Sequence, residues 1–104
     1  MFYSRLFVDL LEFVSRGDAE ARDNTGTEIY YVYFSASTDR SWGEDRLDRT
    51  QTLRNGASVS FNLPQPLASS YDIMLEDPRE NTYSKMNVRL TANSRIEFTR
   101  SDRD

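Results

Sequence analysis

Trp42-Gly43-Glu44-Asp45 sets the only tryptophan of a 104-residue chain beside two carboxylates. An indole face flanked by acids can grip a sugar or a peptide by stacking and hydrogen bonding. The same residues also suit a structural task, with Trp42 capping the end of a fold, Gly43 permitting a tight turn and Asp45 accepting from loop amides. That structural task is the weightier of the two. A second group of acids, Asp72, Glu76, Asp77 and Glu80, spans a strand end and the turn after it. Carboxylates so placed can collect around Ca2+, which takes about six to eight oxygens. The group lacks the spacing of an EF-hand, and its turn has no Gly. Strand alternation puts Asp72 and Glu76 on one face and Asp77 on the other. A solvated acidic edge is therefore the default, with Ca2+ the only cofactor the chain suggests.

Other chemistry is thinly provided. The chain has no Cys and no His. It therefore has no disulfide, thiolate metal site or cysteine nucleophile, and it lacks the commonest general base. Paired carboxylates can hydrolyse glycosides, but nothing in so short a chain supplies an evident cleft. No Gly-rich phosphate loop is present. These absences point away from an enzyme. The formal charge of −4 tells against nucleic acid, whose affinity comes from Lys and Arg neutralising phosphates. The bases are twelve Arg and the single Lys85. Arg pairs with carboxylates in two-pronged fashion, so the excess reads as surface pairing.

The tyrosines bear on binding. Tyr30, Tyr31, Tyr33, Tyr71 and Tyr83 lie on or beside strand-like runs, and Tyr serves cores and interfaces alike. Core packing is the more frequent use, with a partner surface as the alternative.

The elements that must position these groups follow from periodicity. Residues 1–16 predict an amphipathic helix, with Tyr3, Leu6, Phe7, Leu10, Leu11 and Val14 on one face. A helix of that length is marginal alone in water, so its apolar face needs a cover. A second copy of the chain, joined through these six residues, is favoured over the chain's own sheet. Asp9 and Glu12 break the longest apolar run. It falls short of the roughly 20 residues a membrane span needs, and the acids spoil it as a signal-peptide core. Export or a periplasmic location would require a signal removed or lying upstream. Residues 17–27 read as a polar linker, and Arg16-Gly17-Asp18 as a chance match to an adhesion tripeptide.

From residue 28 the chain turns to β. Ile29-Tyr30-Tyr31-Val32-Tyr33-Phe34 is aromatic and β-branched, apolar on both faces, and predicts a central strand. Asn55-Gly56 predicts a two-residue hairpin turn. Strict alternation then sets Val59, Phe61 and Leu63, next Tyr71, Ile73 and Leu75, then Met86, Val88 and Leu90, and last Ile96 and Phe98 on inner faces. Residues 28–100 are expected to form an antiparallel β-sandwich of about six to seven strands, preceded by the helix and followed by a charged tail, 101–104, that frays.

The stretches 25–47 and 71–90 resemble an uncharacterised family of bacterial β-sandwich domains. The likeness rests on Thr25-Gly26, on Ile29-Tyr30-Tyr31, and on a Ser-rich loop with Ser35 and Ser37. It continues through Trp42-Gly43-x-Asp45-x-Leu47, Tyr71-Asp72, and Asp77 with Tyr83. The resemblance covers roughly residues 24–100 and implies a domain exported or attached to larger proteins. Asp48 stands where the pattern has Gly, and Pro78-Arg79-Glu80-Asn81 replaces an Asp-Gly turn. Both departures tell against a metal site carried over from the family. The expectation is a non-enzymatic interaction module, a homo-oligomer with a protein partner, within a bacterial assembly or surface system. The alternative is a small Ca2+- or carbohydrate-binding domain.

Overall fold

A computed structural model describes residues 18–47, 51–63 and 67–104. The predicted helix over 1–16, and with it Tyr3, Leu6, Phe7, Leu10, Leu11 and Val14, lies outside the described residues. The chain is mainly β. Its strands are β1 (Asp18–Asn24), β2 (Tyr31–Ala36), β3 (Ser58–Asn62), β4 (Tyr71–Glu76), β5 (Thr82–Val88) and β6 (Arg95–Thr99), followed by a 3-10 turn, Arg100–Asp102. They form two three-stranded sheets, ordered β3-β1-β6 and β2-β4-β5. Phe34 of β2 stacks on Phe61 of β3 with centroids 4.4 Å apart, and on Tyr71 of β4 at 5.1 Å. These rings, with Val32, Ile73, Leu75, Leu90 and Phe98, make the core.

The linker reading of 17–27 is corrected by β1. Asp18–Asn24 is the central strand of its sheet, paired antiparallel to β3 and parallel to β6. The parallel pair also departs from the all-antiparallel expectation. Among apolar residues β1 offers only Ala19 and Ala21, both fully buried. Neither Ala nor its Glu, Arg, Asp and Asn neighbours favours a strand, so ladders on both sides override local preference.

Asn55-Gly56 does make a turn, closed by Ala57 N–H donating to the Arg54 carbonyl at 2.9 Å. It does not join two paired strands. Leu53 bridges Ile29, whereas β3 pairs with β1. Only Gly56 of the pair has positive φ, at 93°, which fits a type II turn. The Asn55 side chain is occupied elsewhere, accepting from Gly26 N–H at 2.8 Å.

Alternation holds for Phe61, Leu63, Tyr71, Ile73, Leu75, Leu90 and Phe98, all buried, and fails at Met86, which is 55% exposed. The cause is a β-bulge. The β4–β5 register slips one residue between Tyr71↔Val88 and Ile73↔Lys85. Asn87 takes positive φ, 57°, to absorb the extra residue. Before the bulge the inward positions of β5 are therefore Tyr83 and Lys85, not Met86. Lys85 reaches Asp102 at 3.0 Å and lies 5.6 Å from the Phe98 ring centroid.

The tail is held, not frayed. Thr99 caps the 3-10 turn reciprocally with Asp102, Arg103 bridges Tyr83, and Asp104 N–H donates to the Thr82 carbonyl. Among the described residues β2 is an edge rather than a central strand.

Candidate functional site

The two sheets present different outer faces. On β3-β1-β6 the register sets Glu20 opposite Arg95 and Arg22 opposite Glu97. Glu20 and Arg95 pair at 3.5 Å, and Asn24 donates to Glu97 at 3.1 Å. A groove of about 560 Å³ crosses this face, but its walls are mutually balanced charges. That is how a solvated face looks.

The outer face of β2-β4-β5 is built otherwise. Register places Tyr31 beside Glu76, Tyr33 beside Met74 and Ser35 beside Asp72 on neighbouring strands. On β5 the outward residues are Thr82, Ser84 and, because of the bulge, Met86. Tyr31 is 43% exposed. Its ring runs alongside Tyr33 with centroids 6.4 Å apart and planes 17° from parallel. Trp42 leans on the other side of Tyr33 at 6.5 Å, tilted 50°. The three rings form a continuous half-exposed row. Burial, then Glu76, Asp45 and neighbouring Tyr31, push the Tyr33 phenol above its ordinary value.

The loop that carries Trp42 is pinned by Asp45. Its Oδ1 accepts from Val32 N–H at 2.8 Å and Leu47 N–H at 3.1 Å. Arg46 N–H donates to the Val32 carbonyl, and the Arg46 guanidinium to the Phe34 carbonyl at 2.9 Å. This loop thereby covers part of the free edge of β2, and the tail pairs with the start of β5 at Thr82 and Tyr83. These contacts disfavour strand addition where they fall, and among the described residues the outer face of this sheet is exposed at Tyr31 and Met86. Glu44 is exposed in the same loop. Behind Trp42, an open cleft of about 470 Å³ is lined by Ser35, Asp39, Arg40, Ser41 and Arg46 among others.

The four acids considered for Ca2+ are separated in purpose. Asp72 accepts from Ser37 Oγ at 2.7 Å and from Asn87 N–H at 2.9 Å, tying the bulge to β4. Asp77 is buried and organises its turn. Glu76 lies on the outer face, and Glu80 is exposed with φ of 69°. Among the described residues no three acids converge on a point that could hold a metal ion.

Of the tyrosines, Tyr71 and Tyr83 belong to the core, whereas Tyr30, Tyr31 and Tyr33 reach the surface. Met74, Met86 and Asp104 complete the face and were not legible as site residues. Asp104 accepts from Thr82 Oγ1 at 2.8 Å and Ser84 Oγ at 2.6 Å, which brings a further carboxylate to it. For Met74 and Met86 the one sequence signal is outward alternation, which the bulge hides for Met86; Asp104, beyond the last strand, has none.

No protein family, curated protein or solved structure matches the chain.

Proposed function

We propose that this chain is a non-enzymatic interaction module of β-sandwich architecture whose binding surface is the outer face of β2-β4-β5. The observation that carries the reading is the half-exposed row of Tyr31, Tyr33 and Trp42, extended by Met86. Solvated sheet faces favour small polar and charged groups, as β3-β1-β6 does. Aromatic and Met side chains are enriched where proteins meet. The resemblance to bacterial β-sandwich domains supports a place within a larger assembly or surface system.

The test is site-directed photo-crosslinking in extract of the source cell. A photoreactive residue in place of Met86 should capture a discrete partner. The same residue in place of Ser60, on the other sheet, should not. Equal capture from both positions would remove the reading.

A second reading, a carbohydrate site, is favoured by the cleft behind Trp42, where hydroxyls, Asp39 and Arg40 surround an indole. It predicts that a glycan raises the melting midpoint, since a ligand bound only by the folded state stabilises it. The same melt with Ca2+ checks the acidic residues.

A further inference from the structure

The outward positions of β2, β4 and β5 hold Tyr, Met, Ser, Thr, Asp and Glu, and no Lys or Arg. The opposite sheet carries Arg22 and Arg95 on β1 and β6 against Glu20 and Glu97. Basic residues are thus absent from the strand positions of one face only, although the chain has twelve Arg in all. On that face Glu76 lies next to Tyr31 in register, and Asp104 lies over Thr82 and Ser84. Arg40 stands at the loop margin, in a depression it shares with Asp39, Trp42, Asp72 and Met86.

Aromatic rings present negative π-faces, and a cation over them is attracted by the quadrupole. A carboxylate beside the rings adds a charged acceptor. From this complementarity we infer that the face takes an arginine-bearing segment of a protein partner, with guanidinium groups over Tyr31 and Tyr33 and paired to Glu76. Arginine suits the site better than lysine, because its planar group stacks on rings while donating sideways to a carboxylate, and sheds water more readily. The inference rests on the reading that this face is the binding surface, and it specifies what chemistry that surface selects.

Trp42 is the only tryptophan and touches Tyr33, so its emission reports occupancy directly. Terminally blocked peptides alternating Gly with Arg, Lys, Gln or Glu are titrated against the full chain at about 0.15 M salt, where long-range attraction is screened. The expected order is Arg tighter than Lys, with Gln and Glu peptides not binding. Tyr31→Leu with Tyr33→Leu keeps the net charge and should weaken the Arg peptide about tenfold, a few-fold for each ring lost. Tyr31→Phe with Tyr33→Phe keeps the rings and should bind within about twofold of wild type. Glu76→Gln should weaken binding more than Glu20→Gln, the same change of charge on the opposite face. Melting curves establish that each variant is folded.

Three outcomes overturn the inference. Unchanged affinity in the Leu pair, or equal effects of the two Gln variants, means attraction by net charge alone. No saturable change with the Arg peptide removes it directly. Binding of the Gln peptide or a glycan that is lost in the Leu pair shows a binding face selecting neutral ligands. In that case the broader reading stands and only the cation claim falls.

Discussion

Tyr83 donates its phenol to Oδ2 of Asp77 at 3.3 Å, joining the inner face of β5 to the turn that precedes it. The same carboxylate accepts from Arg79 N–H and Asn81 N–H at 2.9 Å, and from Asn81 Nδ2 at 3.0 Å. Asp77 is thus a buried anion whose oxygens are fully engaged. Burial alone would raise its pKa, but the bonds from Asn81, Arg79 and Tyr83 outweigh burial and hold it below the ordinary value. Burial, then the Asp77 charge, pushes the Tyr83 phenol up.

Asp77→Ala should therefore destabilise by about 2–4 kcal/mol, since it leaves several buried donors without an acceptor. Its pH signature follows from the sign. A carboxyl lowered in the folded state contributes stability present above its unfolded value and lost as pH falls through the folded value. Wild type should lose stability on acidification in that window, and Asp77→Ala should show less of this loss. Chemical denaturation at several pH values reads both.

Asp23 is the opposite case. It is fully buried, with Oδ1 accepting from Thr25 N–H at 3.0 Å and Thr25 Oγ1 at 2.7 Å. Among the described residues its Oδ2 has no hydrogen-bond partner. Burial raises its pKa, against the two bonds from Thr25. A carboxyl raised in the folded state favours folding at low pH, and this contribution falls as pH rises from the unfolded to the folded value. Asp23→Asn keeps the shape, removes the charge, and should remove that downward slope. At neutral pH it should cost under about 1 kcal/mol or stabilise, because an uncompensated buried charge is expensive.

Two left-handed backbone positions give predictions of opposite sign. At Gly56, with φ of 93°, a Cβ would meet nothing within 4 Å, so any penalty is conformational rather than steric crowding. Gly56→Val should cost about 1–2 kcal/mol. Glu80 occupies the same region at φ 69° with a side chain, so Glu80→Gly should stabilise by about 0.5–1 kcal/mol. Thermal melts of the two variants should move in opposite directions.

Lys85 and Asp102 are partly buried and held at 3.0 Å, and Asp102 also accepts from Thr99 N–H at 2.8 Å. Asp102→Ala should cost about 1–2 kcal/mol, from the lost cap and the ammonium left unpaired. Lys85→Met keeps the stem over Phe98 and should change stability by less than about 1 kcal/mol. An equal loss in both variants would mean that the ion pair, not the cap, holds the tail.

What could be read in advance was what local pattern controls. Ser58–Asn62 and Tyr71–Glu76 alternate cleanly, and both strands lie where alternation puts them. Asp18–Asn24 is illegible as a strand because its inner face is two alanines and the charged Asp23, which mark no apolar period, and its pairing partners lie far along the chain. Met86 was misassigned because a bulge shifts phase without a Gly or Pro to announce it. At the candidate site Trp42 and Asp45 stood out by type. Tyr31 and Tyr33 could not be told from core residues, because their exposure depends on β2 being an edge with one open face, and topology decides that.

Strand β1 sits between β3 and β6, and its parallel partner β6 comes last in the chain. During synthesis β1 therefore cannot gain both neighbours until Arg95–Thr99 has left the ribosome, about seventy residues after β1 itself. At roughly 5–20 residues per second, β1 spends several seconds with one flank bare. Contacts that link distant parts of a sequence also slow folding itself. A chain cut short ahead of residue 95 would lack β6 and would leave β1 paired to β3 alone among the described strands, with one side of the charged sheet's central strand open.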